Sequence, residues 1–241
     1  ISDGWTCLIL MLFVLCGCSS STWLRVRRAP QSPLVESLKL QSWSGPQPTE
    51  RTLQWLRRHD LSEAFDSRDK CAFIRSVEQI VSYRPTADSV HALSELAFLA
   101  GSQAQQDGEI AAAYDLYGTS VANAYLYLVD EGFDIVRNPY DPRFRQACDL
   151  YNGALESALR LAKREGPLTP GTRRAFDTSS KTIQLTIESK GNWRPDQIER
   201  IEFASDYQAT GLTNQVHRYG LGVPLILVYR RDLNRPEDQF Y

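Results

Sequence analysis

The chain has 241 residues, 42% of them apolar and 23% charged, with a formal net charge of −2. That length carries one large domain or two small ones and leaves ample chain for a buried core. The near-neutral balance, with no basic patch interleaved with aromatics, excludes an electrostatic case for nucleic-acid binding.

The first element is an apolar run, "CLILMLFVLC", from Cys7 to Cys16. About 20 apolar residues are needed to cross a bilayer, whereas a signal-peptide core needs roughly 7 to 15. The run fits the second case, so residues 1–17 read as a signal peptide. Its flank "ISDGWT" lacks both Met and a basic residue, which suggests a start further upstream. Leu15-Cys16-Gly17-Cys18 resembles the bacterial lipobox, with Cys16 where Ala or Ser is commoner. The resemblance implies cleavage before Cys18 and its acylation, making Cys18 the lipidation site and membrane lipid the partner. The alternatives are a plain signal peptide or an uncleaved anchor. Acylation places the protein in a bacterial cell envelope, facing the periplasm or the exterior.

Residues 18–48 are rich in Ser, Pro and Gln and read as a linker, with Arg25, Arg27 and Arg28 as a solvated tether. Helical patterning begins at Thr49, a candidate cap followed by Glu50 and apolar Leu53 and Leu56. A second helix sets Cys71, Ile74, Val77 and Val81 on one face and stops before Pro85. A third carries the stripe Leu93, Leu96, Ala97 and Ala100. After a turn at "QDG", a long helix faces inward with Ile110, Ala113, Tyr117, Val121, Ala124 and Leu128. The prolines of "RNPYDP" break the pattern. The last helix then aligns Phe144, Ala147, Cys148, Tyr151, Leu155, Ala158 and Leu159 before Gly166-Pro167.

"AYDLY" at 113–117 and "ACDLY" at 147–151 lie 34 residues apart, the tetratricopeptide period. The hairpin around 97–125 resembles one such repeat, with Gly101, Gly108, Ala113 and Tyr117 at its small and aromatic positions. The second copy lacks its first helix, and a generic bundle with a chance match is the competing reading. The helical region, 49–176, is a candidate surface for a protein partner.

Beyond this the period changes. "TIQLTIE" alternates with Ile183, Leu185 and Ile187 on one side, "IERIEFA" alternates less cleanly, and "VPLILVYRR" is a continuous apolar run suited to a strand covered on both faces. Residues 177–241 therefore form a β-rich segment, and helices followed by strands make the fold class α+β.

No nucleophile elbow, P-loop, dinucleotide fingerprint or metal-spaced His/Cys set occurs, so no catalytic, cofactor-binding or metal residue is assigned and no cofactor is expected. His217 in "NQVHRYGLG" has only Asp206 as a sequence-local acid and reads as structural. Asp141, Arg143 and Arg145 in "YDPRFR" read as a capped helix start with a local ion pair. Cys71 and Cys148, the thiols left after cleavage, either pair or serve as small core residues on their helices.

"NPYDPRFRQACDLYNGALESAL", "DYQATGLTNQVHRYGLGVPLI" and "RPEDQFY" together resemble bacterial lipoproteins of the α/β-hydrolase type. In those proteins a signal and an extended helical region precede the hydrolase core. The resemblance covers roughly 85–241. It implies the front part of a membrane-anchored, esterase- or lipase-like enzyme, with the catalytic triad downstream and the strands here the start of its sheet. The alternative is a tetratricopeptide-like interaction module of an envelope lipoprotein without catalytic activity. A shortened gene product with no activity of its own is a third.

Overall fold

After one short strand, helices fill the middle of the chain and strands the last part, so the fold is α+β. The computed structural model describes residues 24–28, 47–67, 69–133, 138–177, 182–190, 195–210 and 220–230. The helices are α1 (Glu50–Arg58), α2 (Ser62–Phe65), α3 (Lys70–Tyr83), α4 (Ala87–Gln106), α5 (Ile110–Val129) and α6 (Pro142–Arg164). The strands are β1 (Leu24–Val26), β2 (Arg173–Asp177), β3 (Thr182–Thr186), β4 (Ile198–Phe203), β5 (Tyr207–Ala209) and β6 (Leu225–Tyr229).

Capping side chains start three of these six helices. Asp69 accepts the Ala72 N–H at 2.8 Å to begin α3. Thr86 and Ser89 form a reciprocal capping box at α4. Asp141 caps α6, with Pro142 in its first turn. At α1, by contrast, Thr49 occupies the cap position but makes no capping bond, because its hydroxyl is drawn to Glu95.

Helix α4 is the centre of the molecule. Fourteen of its 20 residues are buried, so the expected single stripe is too narrow for a helix covered on nearly every side. The turn at Gly108, at φ +83°, brings α5 back antiparallel to it. Two contacts hold the hairpin close. Ser94 and Ser120, both fully buried, exchange side-chain-to-carbonyl hydrogen bonds of 3.0 and 2.8 Å. At Gly101 a Cβ would lie 3.0 Å from the Tyr117 ring, so glycine sets the helix spacing there.

Helix α6 buries Ala147, Leu150, Gly153, Ala154, Ala158, Leu161 and Ala162. Its expected stripe shares Ala147 and Ala158, but Tyr151, Leu155 and Leu159 are only half-buried. The face turns toward its small residues because these allow close packing on α5. Similarly, α1 buries Trp55 and Leu56, and the expected Leu53 is half-buried.

The strands make three two-stranded antiparallel ribbons, β1 with β5, β2 with β3, and β4 with β6. In β3, half-buried Ile183 and Leu185 alternate with exposed Thr182, Gln184 and Thr186, as the period-two pattern requires. Strand β2 was hidden in the sequence, where "RRAFD" shows no clear alternation. Strand β1 lies within the stretch expected to be linker; Arg27 beyond it donates from Nε to the Tyr207 carbonyl at 3.2 Å.

Ile198, Ile201 and Phe203 of β4 join the helical core. The Arg160 guanidinium sits 4.2 Å above the Phe203 ring, and Lys163 donates to the Ile201 carbonyl at 3.0 Å. Strand β6 departs from expectation. The reading of a strand covered on both faces is corrected: Leu225, Ile226 and Leu227 keep 39%, 37% and 42% of their surface exposed. Among the described residues β6 hydrogen-bonds to β4 alone, so an apolar run built for burial lies open.

Candidate functional site

Cys18, the apolar run before it and His217 lie outside the described residues. Among the described residues, no helix is long and apolar enough to cross a membrane, and no group of His, Cys, Asp or Glu is arranged to hold a metal ion. Cys71 and Cys148 are both free thiols, half-buried on their helices. Burial pushes both thiols up, which keeps them protonated and poor nucleophiles. Asp206, the acid near His217 in sequence, is paired with Arg160 at 2.7 Å.

The string "YDPRFR" is a capped helix start with an ion pair, as its sequence suggests. Asp141 accepts from the Arg143 backbone N–H and from its Nε, both at 2.9 Å. These bonds from Arg143 hold the Asp141 carboxyl below the usual range. Arg143 also reaches Asp88 at 2.6 Å, joining the first turn of α6 to that of α4. Arg145 makes a separate pair with Asp149 at 3.2 Å.

Beside this junction lies a polar centre that sequence reasoning missed. Glu95 is fully buried in the middle of α4. Its carboxyl accepts from the Thr49 backbone N–H, from Thr49 Oγ1 at 2.9 Å, from Thr52 Oγ1 at 2.8 Å and from Gln146 Nε2 at 3.4 Å. Burial raises the Glu95 pKa, and the four donors only partly offset that effect. One turn earlier, His91 packs edge-on against Tyr127, with ring centroids 5.1 Å apart. Its Nε2 is buried with no hydrogen-bond partner, so it activates no hydroxyl through that atom. Burial, then the Arg143 charge, lowers its pKa from 6.5 to about 4, so the ring is neutral at physiological pH.

A cavity of about 150 Å³ opens between α1 and the first turn of α4. Arg51, Trp55, Arg58, Asp88, His91 and Arg143 are among its walls. The sequence signal was faint: "HALSEL" places His91 and Glu95 four residues apart on a helix with an apolar stripe, so both are carried toward the interior.

A second depression, of about 620 Å³, runs between α4, α5, α6 and β4. Its charges, Arg164 apart, are already committed. Arg160 pairs with Glu156 at 2.8 Å and with Asp206, and Lys163 pairs with Glu202 at 2.8 Å. Tyr117 donates its hydroxyl to Gln105 Oε1 at 2.9 Å. The ion pairs fasten the β4 ribbon to α6, and the Ser205 hydroxyl beside them donates to the Glu156 carboxylate at 2.5 Å. No family model, no curated protein and no solved structure matches this chain.

Proposed function

We propose that this chain is the non-catalytic front region of a serine hydrolase of the α/β-hydrolase type, tethered to the envelope by acylated Cys18. The reading rests on the resemblance carried by the segments around 138–159, 206–226 and 235–241. The structural observation in its favour is β6, whose "LILVY" sequence is suited to a buried strand yet is open in the described residues. Exposed apolar edges are normally blunted by charge, proline or bulges; β6 carries no charge or proline between Leu225 and Tyr229, and its pairing with β4 is irregular only opposite Val228 and Tyr229. It is therefore suited to taking further strands of a larger sheet. The helical body would support that sheet through Phe203, Arg160 and Lys163. The test is ester hydrolysis by the full reading frame beside residues 1–241 alone. Activity in the first and none in the second supports the reading; a frame free of any nucleophile elbow and without activity overturns it.

A second reading, a helical interaction module, draws on the outer face of α5. Tyr125, Leu126 and Val129 there are 48%, 43% and 46% exposed, leaving an apolar patch beside the tetratricopeptide-like hairpin. Substituting all three with Ser and finding unchanged retention of envelope proteins in a pull-down would remove that reading.

A further inference from the structure

The cavity beneath α1 combines three observations that none of the structural roles above uses. First, it is concave and of useful size. About 150 Å³ corresponds to roughly five waters at ~30 Å³ each, room for a small oxyanion with a short stem. Second, two of its guanidiniums are uncommitted. Arg51 and Arg58 stand two turns apart on α1 and enter no ion pair among the described residues, unlike their neighbour Arg57, which is held by Glu50 at 2.9 Å. Third, His91 offers a buried ring nitrogen with no partner in the protein. Unpaired buried polar atoms are costly, and a ligand is one way to satisfy them.

We propose that this cavity binds a phosphate group, gripped by Arg51 and Arg58 from α1 and by His91 from α4. Three separate donor groups suit the three free oxygens of a phosphate monoester better than the two of a carboxylate. Arg guanidinium forks match phosphate geometry, and a neutral imidazole carrying its proton on Nε2 supplies a donor without adding charge. Asp88 is the one acid among the cavity walls, and Arg143 at 2.6 Å neutralises it, so it does not repel the ligand strongly. Trp55, 5% exposed, gives an apolar wall for the atoms that carry the phosphate. The phosphate comes either from a soluble monoester or from a lipid headgroup ending in phosphate.

The experiment uses the 241-residue protein and inorganic phosphate as probe, followed by ³¹P line broadening and by calorimetry at low salt. Saturable binding is expected, weakened about tenfold or more in the double variant R51Q/R58Q. Both side chains are exposed, so the variant should keep the parent's thermal midpoint, and a control melt checks that the fold is retained. In parallel, His91→Gln keeps a donor and should weaken binding less than His91→Phe. No saturable binding at millimolar phosphate, equal binding by parent and double variant, or acetate binding as tightly as phosphate each overturns the assignment. Flotation with vesicles containing phosphatidic acid, against phosphatidylcholine alone, separates the two sources. Flotation lost in R51Q/R58Q places the phosphate on a lipid, and phosphate binding without flotation places it on a soluble ligand.

Discussion

Thr52 donates a 2.8 Å hydrogen bond to Glu95 across 43 residues of sequence, so α1 closes over a carboxyl buried at the centre of the molecule. The same carboxyl draws the Thr49 hydroxyl away from capping its own helix. A local preference has yielded to a tertiary one, since a buried acid with unfilled lone pairs is worse than an uncapped helix end at the surface. This bond orders α1, and α1 in turn supplies Arg51 and Arg58 to the cavity.

Stability should therefore depend on the protonation of Glu95. Its folded-state pKa lies above the ordinary 4.5, so the folded protein holds the proton more tightly than the unfolded chain does. That contribution is fully present below about 4.5 and is lost as pH rises through the folded value. Denaturant titrations of Glu95→Gln against the parent should show the difference shifting in the variant's favour as pH rises. Glu95→Ala, which strands Thr49, Thr52 and Gln146, should cost about 3 kcal/mol. A pH-independent difference between the parent and Glu95→Gln would remove this account of the carboxyl.

His91 has the opposite sign. Its folded pKa of about 4 lies below the ordinary 6.5, so its contribution is present above 6.5 and is lost as pH falls toward 4. The gap corresponds to on the order of 3 kcal/mol. Relative to His91→Gln, the parent should lose about that much between the two pH values, and the His91 ring should titrate near 4 by NMR. A ring titrating near 6.5 would contradict the burial described for it.

Gly101 tests the spacing of the central hairpin. A β carbon there meets the Tyr117 ring at 3.0 Å and Leu116 Cβ at 3.3 Å, and Tyr117 is anchored by its bond to Gln105. Gly101→Leu should destabilise by about 2 to 3 kcal/mol through overpacking, measured by urea unfolding. Gly101→Ala should lie within about 1 kcal/mol of the parent, because better helix propensity offsets the tight contact. An unchanged midpoint for Gly101→Leu would mean that α4 and α5 are not held at this distance.

Cys18→Ala should move the protein from the membrane pellet to the soluble fraction, if the lipobox reading is right. Retention after an alkaline wash would point to an uncleaved anchor.

Five of the six described helices were legible because each presents apolar residues at the 3.6-residue period, and Asp69, Thr86 and Asp141 stand where caps belong; α2, four residues with none buried, is too short to show a period. Their rotation was less so. In α6 the deciding factor was the small residues Gly153 and Ala154, which permit close approach, rather than the large Tyr151 and Leu159 that dominate the pattern. In α4 the buried Ser94 and Glu95 are polar, and only their partners Ser120 and Thr52, remote in sequence, make their burial tolerable. For β6, an apolar run tells what a strand is suited to bury against, which is different from what lies beside it. The cavity was illegible for a related reason: Arg51, Arg58, His91 and Arg143 belong to three helices, and no spacing between them forms a motif.

The central proposal, that this region leads into a serine hydrolase, is tested most directly by labelling the product of the full reading frame with a fluorophosphonate and mapping the modified peptide by mass spectrometry. The account predicts one labelled serine, lying outside residues 1–241 and within a nucleophile elbow. A label on a serine within 1–241, or a full-length protein that takes no label, would contradict it.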